Sequence, residues 1–155
     1  AAPPWYHLIS RELSRALTMG GYNFPESTAL MLLRTVDGDR DGKIYFQEFV
    51  QLHRYILQMQ QAFNAIDTDR GGSLSPAEVG RAFNAIGYQF PPNTVYNLVY
   101  KFGGGRELTF AGFMELNLFI TLGTQTFNTL PRNAYGKAEV DFNQFIEAAS
   151  RCVPK

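Results

Sequence analysis

The twelve residues Asp37-Gly38-Asp39-Arg40-Asp41-Gly42-Lys43-Ile44-Tyr45-Phe46-Gln47-Glu48 carry carboxylates at their first, third, fifth and twelfth positions and glycine at the sixth. Alternate residues of a curling loop point inward, so Asp37, Asp39 and Asp41 converge on one centre. Gly42 permits the left-handed turn that a Cβ would penalise. Lys43 then offers its backbone carbonyl while its ammonium points away, and Glu48, in the first turn of the outgoing helix, closes the cage with both oxygens. A hard divalent cation that takes about six to eight oxygens fits this donor set, and Ca²⁺ is the ion it predicts. Tyr45, in ninth place, is a poor ligand, so water is expected at that vertex. An acidic surface turn would share the Asp and Gly content. It would not also require the apolar Ile44 in eighth place and a helix on each side.

The same pattern returns 30 residues later as Asp67-Thr68-Asp69-Arg70-Gly71-Gly72-Ser73-Leu74-Ser75-Pro76-Ala77-Glu78. Both stretches match the EF-hand calcium loop, with its glycine at position 6 and its closing Glu at position 12. Here position 5 is Gly71, which brings no oxygen. The ligands predicted are Asp67, Asp69, the Ser73 carbonyl and Glu78. Ser75-Pro76-Ala77-Glu78 also reads as a capping box with proline at the first helical position, and cap and cage are compatible roles for Glu78. The first loop is expected in the sensor range of about 10⁻⁷ to 10⁻⁵ M and the second at or beyond its weak end. Arg40, Lys43 and Arg70 are read as solvated charges that temper the acidic field.

Between the loops, Phe46, Phe49, Val50, His53, Ile56, Leu57, Phe63 and Ile66 recur at three-and-four spacing with no Pro or Gly, which predicts one long helix over 46–66. Shorter helices are predicted at 12–19, 25–36, 76–86, 92–102, 110–122 and 142–151. Strand signals are confined to fragments such as Lys43-Ile44-Tyr45 and Glu107-Leu108-Thr109. Three further loops lack the set of acids at the first, third and fifth positions. Residues 1–12 keep Leu8 and Glu12 in register but set Ala1, Pro3 and Trp5 at the ligand positions. Residues 103–112 are shortened and end in Gly112. Residues 131–142 keep Gly136 as the central glycine. The fold expected is all-α, five helix–loop–helix units joined by short two-residue β ladders between paired loops.

Five such units, two of them calcium-competent and starting only 30 residues apart, resemble the penta-EF-hand family of calpain regulatory domains, sorcin, grancalcin and the ALG-2-like adaptors. The stretch Glu12-Leu13-Ser14-Arg15-Ala16-Leu17 resembles the outgoing helix of a first hand. Lys101-Phe102 with its degenerate loop resembles the fourth, and Phe127 to Ser150 the fifth. The resemblance implies a single domain over 1–155, with hands at about 1–22, 25–57, 58–86, 92–122 and 123–155. It implies that hand one pairs with two and three with four, and that the fifth pairs with the fifth of another molecule, as homodimer or heterodimer. In that family the first and third loops are commonly the main sites; here the first has no acid at positions 1, 3 or 5 and the second is the best.

The composition sets limits on function. The chain has 155 residues, 45% apolar and 18% charged, with 14 basic and 14 acidic side chains. That suits one compact domain and gives no basic field for nucleic-acid phosphates. The single Cys152 cannot form an internal disulfide and points to a reducing compartment. No apolar run reaches bilayer length, and no signal segment opens the sequence. Cys152 with His7 or His53 makes neither a credible nucleophile pair nor a zinc site, and Gly103–Gly105 lacks the Lys-Ser/Thr of a phosphate loop. The expectation is a non-enzymatic calcium-binding adaptor, cytoplasmic, with calcium-dependent recruitment to membranes. Its partners would be protein or Pro-rich segments, bound on rings such as Tyr55, Phe63, Phe83, Tyr88, Phe90 and Tyr96. The alternatives are a regulatory subunit of a calpain-like protease and a structural dimer stabilised by calcium.

Overall fold

A computed structural model describes residues 7–152. The elements run β1 (His7–Leu8), α1 (Ser10–Met19), α2 (Glu26–Val36), β2 (Ile44–Tyr45), α3 (Phe46–Ile66), α4 (Pro76–Ala85), α5 (Pro92–Phe102), α6 (Phe110–Asn128) and α7 (Phe142–Cys152). The chain divides into two compact units, residues 1–115 and 116–155.

In the first unit the hands pair through position 8 of their loops. β1 and β2 are antiparallel, with Leu8 opposite Ile44 and His7 opposite Tyr45. Leu74 and Leu108 form the second join, exchanging both backbone hydrogen bonds at 2.8 and 2.9 Å. This is a single bridge, so the two-residue ladder predicted around Glu107–Thr109 is shorter than expected. Hand one therefore pairs with two and hand three with four. All four position-8 side chains are fully buried or half-buried, as Leu8 is, which is why an apolar residue recurs there in loops that otherwise need polar ones.

The long helix α3 spans the predicted residues, 46–66, but buries a narrower stripe than expected. Leu52, Ile56 and Phe63 are in the core, at spacings of four and seven. Phe46, His53 and Leu57, predicted on the same stripe, are exposed. α1 packs on α2, α2 on α3 and α4 on α5. Thr28, fully buried on α2, donates from Oγ1 to Glu115 Oε1 on α6 at 2.6 Å. A cluster of rings joins the N-terminus of α6 to this core: Phe110 lies 5.5 Å from Phe63 and 5.7 Å from Phe24. Phe63 and Phe83, predicted to line a partner groove, are core residues instead. Tyr88 and Phe90 stack at 5.3 Å beside Phe83. Tyr96 stacks on Tyr100 at 6.3 Å, and both are more than half exposed.

α6 continues six residues past its predicted end at 122. Gly123 lies inside the helix, and the hydroxyls of Thr121 and Thr124 donate to the carbonyls of Asn117 and Ile120. In the second unit the loop after α6 closes on itself by an Arg132–Ala138 bridge, and Arg132 lies over the Phe127 ring at 4.9 Å. α7 has no buried residue; Phe142, Phe145 and Ile146 stand exposed along it. No helix among the described residues is long and apolar enough to cross a membrane.

Candidate metal centre

Two carboxylate clusters stand at the ends of α3. In each of the sets Asp37, Asp39, Glu48 and Asp67, Asp69, Glu78, one ligand oxygen per residue lies within 4.8 Å of the others. The loops are built alike. Asp37 and Asp67 cap the helices that precede them, their N–H groups donating to Leu33 and Phe63 carbonyls. Both are only 8% exposed. Each is kept as an acceptor by loop amides. Asp41 N–H and Gly42 N–H reach Asp37 at 3.2 and 2.8 Å, and Gly71 N–H and Gly72 N–H reach Asp67 at 3.1 and 3.0 Å. The backbone turns left-handed at positions 4 and 6 of both: Arg40 (φ 59°) and Gly42 (φ 75°), Arg70 (φ 54°) and Gly72 (φ 82°). A non-glycine residue in that region is held there at a cost of about 1–2 kcal/mol, so the loop shape is imposed at Arg40 and Arg70.

The first loop gathers negative charge, which shows in its titration. Asp39 titrates above its ordinary value. The Asp41 N–H lowers it, but a hydrogen bond shared with Asp37, burial, and the charges of Asp41 and Asp37 outweigh that. Asp41 stands beside the convergent group. Burial raises it, but it titrates below its ordinary value because its carboxylate accepts from Lys43 N–H at 2.9 Å and Tyr45 Oη at 3.2 Å. Tyr45, expected only to leave a vertex for water, thus orients the position-5 acid. An oxygen-only set with clustered charge fits a hard divalent cation and suits no soft metal.

The closing glutamates differ. Glu48 accepts one bond, from Tyr45 N–H at 2.9 Å. Glu78 is 4% exposed and accepts four, from Ser75 N–H and Oγ (both 3.0 Å) and from Thr68 N–H (2.9 Å) and Oγ1 (3.2 Å). The Ser75 N–H, then the Thr68 N–H, with the two hydroxyls, hold its carboxyl at about 2 against the opposing effect of burial. Thr68 sits at position 2, where the first loop has Gly38, and nothing in ligand spacing marks it.

Cap and position 12 coincide in the first three hands. The third residue of the outgoing helix accepts the N–H before it in hand one (Glu12 from Ile9, 2.9 Å) as in hands two and three. In the fifth hand Gln144 accepts from Asp141 N–H at 2.9 Å, and Asn133 Oδ1 accepts from Lys137 N–H four residues on, as Asp37 does from Asp41. The capping pair comes two residues later than the predicted 131–142 would place it. Gly136, however, is left-handed (φ 75°) five residues after Pro131, as Gly42 is after Asp37, and Asn133 Oδ1 accepts from Tyr135 N–H as Asp39 Oδ1 does from Asp41 N–H. The front of the loop therefore keeps its predicted register, and its exit is two residues longer. Asn133 also donates from Nδ2 to Glu139 Oε1 at 3.1 Å, so an amide ties this loop together. In the fourth hand Gly112 has no side chain to cap with, and Thr109 Oγ1 accepts from Gly112 N–H instead. A Cβ at Gly112 would meet the Phe102 carbonyl oxygen at 2.6 Å and one at Gly103 the Val99 and Arg106 carbonyl oxygens at 2.6 and 2.5 Å. Neither glycine position has room for a ligand side chain. The ligand positions predicted dead in loop one, Ala1, Pro3 and Trp5, lie outside the described residues.

Paired helix–loop–helix units with two acidic cages define a calcium-binding EF-hand protein, and residues 9–54 match the EF-hand domain pair and 59–84 the EF hand. Mouse sorcin is 26% identical over 141 residues, spanning 88% of this chain and 71% of sorcin. Zebrafish (Danio rerio) peflin is 25% identical over 147 residues, spanning 92% of this chain and 54% of peflin. A solved structure of a homolog of programmed cell death 6 protein from Leishmania major Friedlin superposes with a TM-score of 0.78 at 31% identity, covering 95% of this chain and 86% of that one. The chain belongs to the penta-EF-hand family.

Proposed function

We propose that the protein is a calcium-responsive adaptor that carries no catalysis and binds protein partners. Its ligands for Ca²⁺ are Asp37, Asp39, Asp41, the Lys43 carbonyl and Glu48 in one site, and Asp67, Asp69, the Ser73 carbonyl and Glu78 in the other. One observation carries this reading: α3 has Glu48 in its first turn and Asp67 as its C-terminal cap, so a single 21-residue helix, about 31 Å long, belongs to both cages. When bound, the ion supplies the positive charge that the Asp37, Asp39 and Glu48 cluster lacks. Glu48 holds one amide and is rooted in α3, so drawing its carboxylate toward Asp37 and Asp39 draws the start of α3 with it. Glu78 is already drawn across its loop to Thr68, and the second site works as a lock more than as a trigger.

Partner segments dock on exposed rings, of which Tyr96 and Tyr100 offer flat faces suited to proline-rich chains. The fifth hand provides a separate contact. Phe142, Phe145 and Ile146 leave α7 with an apolar face that a fifth hand on a second chain would cover. In this reading the protein works in the cytoplasm and reaches membranes through calcium-dependent partners.

Calorimetric titration of Ca²⁺ into wild type and Glu48→Gln tests the assignment, followed with an apolar-surface dye. Two unequal sites are expected, the tighter one lost in the variant, with a calcium-dependent rise in dye fluorescence lost with it. Two equal sites that survive Glu48→Gln would overturn the reading.

A further inference from the structure

We propose that Glu107, in a fourth loop that has lost its own ligands, is a positioning residue for the cage at 67–78 and supplies the negative charge that Gly71 omits. The inference rests on the assignment of that cage to Ca²⁺. The first cage has four acids in its own loop, Asp37, Asp39, Asp41 and Glu48; the second has three, Asp67, Asp69 and Glu78. Affinity in such loops follows ligand charge and rigidity. A side chain at Gly71 would crowd the Asp69 carboxylate, since a Cβ there would meet Asp69 Oδ1 at 3.0 Å. A carboxylate arrives instead from the partner loop. Ser73 Oγ donates to Glu107 Oε2 at 2.5 Å, and the next residues, Leu74 and Leu108, exchange both backbone hydrogen bonds.

Ser73 is the residue whose carbonyl belongs to the cage. A serine hydroxyl left to itself bonds to nearby backbone and competes with loop geometry. Bound to Glu107, it is held outward and the peptide at position 7 is fixed. The tight turn before Glu107 is what presents it: a Cβ at Gly103 would strike the Glu107 carbonyl oxygen at 2.9 Å. In the other pair of loops the equivalent place, one residue before the position-8 leucine, is held by His7, opposite a loop that has all its acids. The fourth loop thus keeps its shape in order to serve its neighbour.

Calcium titrations of Glu107→Gln, Glu107→Ala, Ser73→Ala and the Ser73→Ala/Glu107→Ala pair, at low and high salt, test this. Glu107→Gln keeps an acceptor and loses the charge. It is expected to weaken the second site about fivefold at low salt, the effect of one charge roughly 8 Å from a divalent ion in water, and less at high salt. Glu107→Ala loses charge and tether and weakens it further, and adding Ser73→Ala to it changes nothing more. The site at 37–48 keeps its affinity in every variant. In calcium-free protein, amide exchange at Leu74 and Leu108 is faster in Glu107→Ala than in Glu107→Gln. Unchanged second-site affinity in Glu107→Ala, or losses that add in the double variant, would overturn the proposal. Glu78→Gln separates the two levels: if it leaves both binding steps intact, the cage itself is misassigned; if it removes the second step while Glu107→Ala does not move it, only the role of Glu107 falls.

Discussion

Glu48 and Glu78 fill the same position in their loops, yet one holds a single amide and the other four donors. The difference has a pH signature. Glu78 titrates at about 2 in the folded chain, below its ordinary 4.5. A carboxylate depressed on folding contributes stability that is fully present above the unfolded value and is lost as pH falls through the folded one. Calcium-free wild type should therefore lose stability between about pH 4.5 and 2 in a step that Glu78→Gln lacks. Thermal melts across that window check it, and parallel curves for the two proteins would refute it. The acidic clusters were legible, since spacing along one short loop brings Asp37, Asp39 and Glu48, and Asp67, Asp69 and Glu78, together. Thr68 and Tyr45 were not: their roles depend on which way a neighbouring carboxylate turns, and position 2 carries no pattern.

At the level of elements, two glycines differ in what a side chain would meet. Gly123 lies inside α6 with nothing within 4 Å of a would-be Cβ and no positive φ. Gly123→Ala should raise stability by about 0.5–1 kcal/mol through helix propensity. Gly103→Ala, by contrast, drives a methyl into three carbonyl oxygens within 3 Å. It should lower the melting temperature by about 5 °C or more. Differential calorimetry of the pair checks both signs. The long helix over 46–66 was legible to the residue because no breaker interrupts it. Its buried face was not, because His53 and Leu57 fit the three-and-four rhythm as well as Leu52 and Ile56 do, and only packing chooses between them. The fifth loop was legible at its front and not at its exit. Gly136 is left-handed like Gly42 and Gly72, whereas the capping pair Asp141 and Gln144 comes two residues later than a twelve-residue loop would place it.

For the whole molecule, the pairing of hands one with two and three with four, which the family resemblance implied, is seen as Leu8 opposite Ile44 and Leu74 opposite Leu108. In the second unit α7 shows Phe145 56% and Ile146 49% exposed. Sedimentation of wild type should report a dimer, and Phe145→Glu with Ile146→Glu a monomer that still binds calcium. A wild-type monomer at micromolar concentration would refute the role given to α7.

The shared helix imposes a phase condition on the chain. A helix advances about 100° per residue, so one alanine inserted near Gln58 would turn Asp67 a quarter-circle out of alignment with Glu48 while leaving every loop residue unchanged. Seven inserted residues, close to two full turns, would bring the two acids back to nearly the same bearing but about 10 Å farther apart. The rotational setting of one site against the other is therefore encoded in residues that never approach a metal ion, and a change in their number is felt at both.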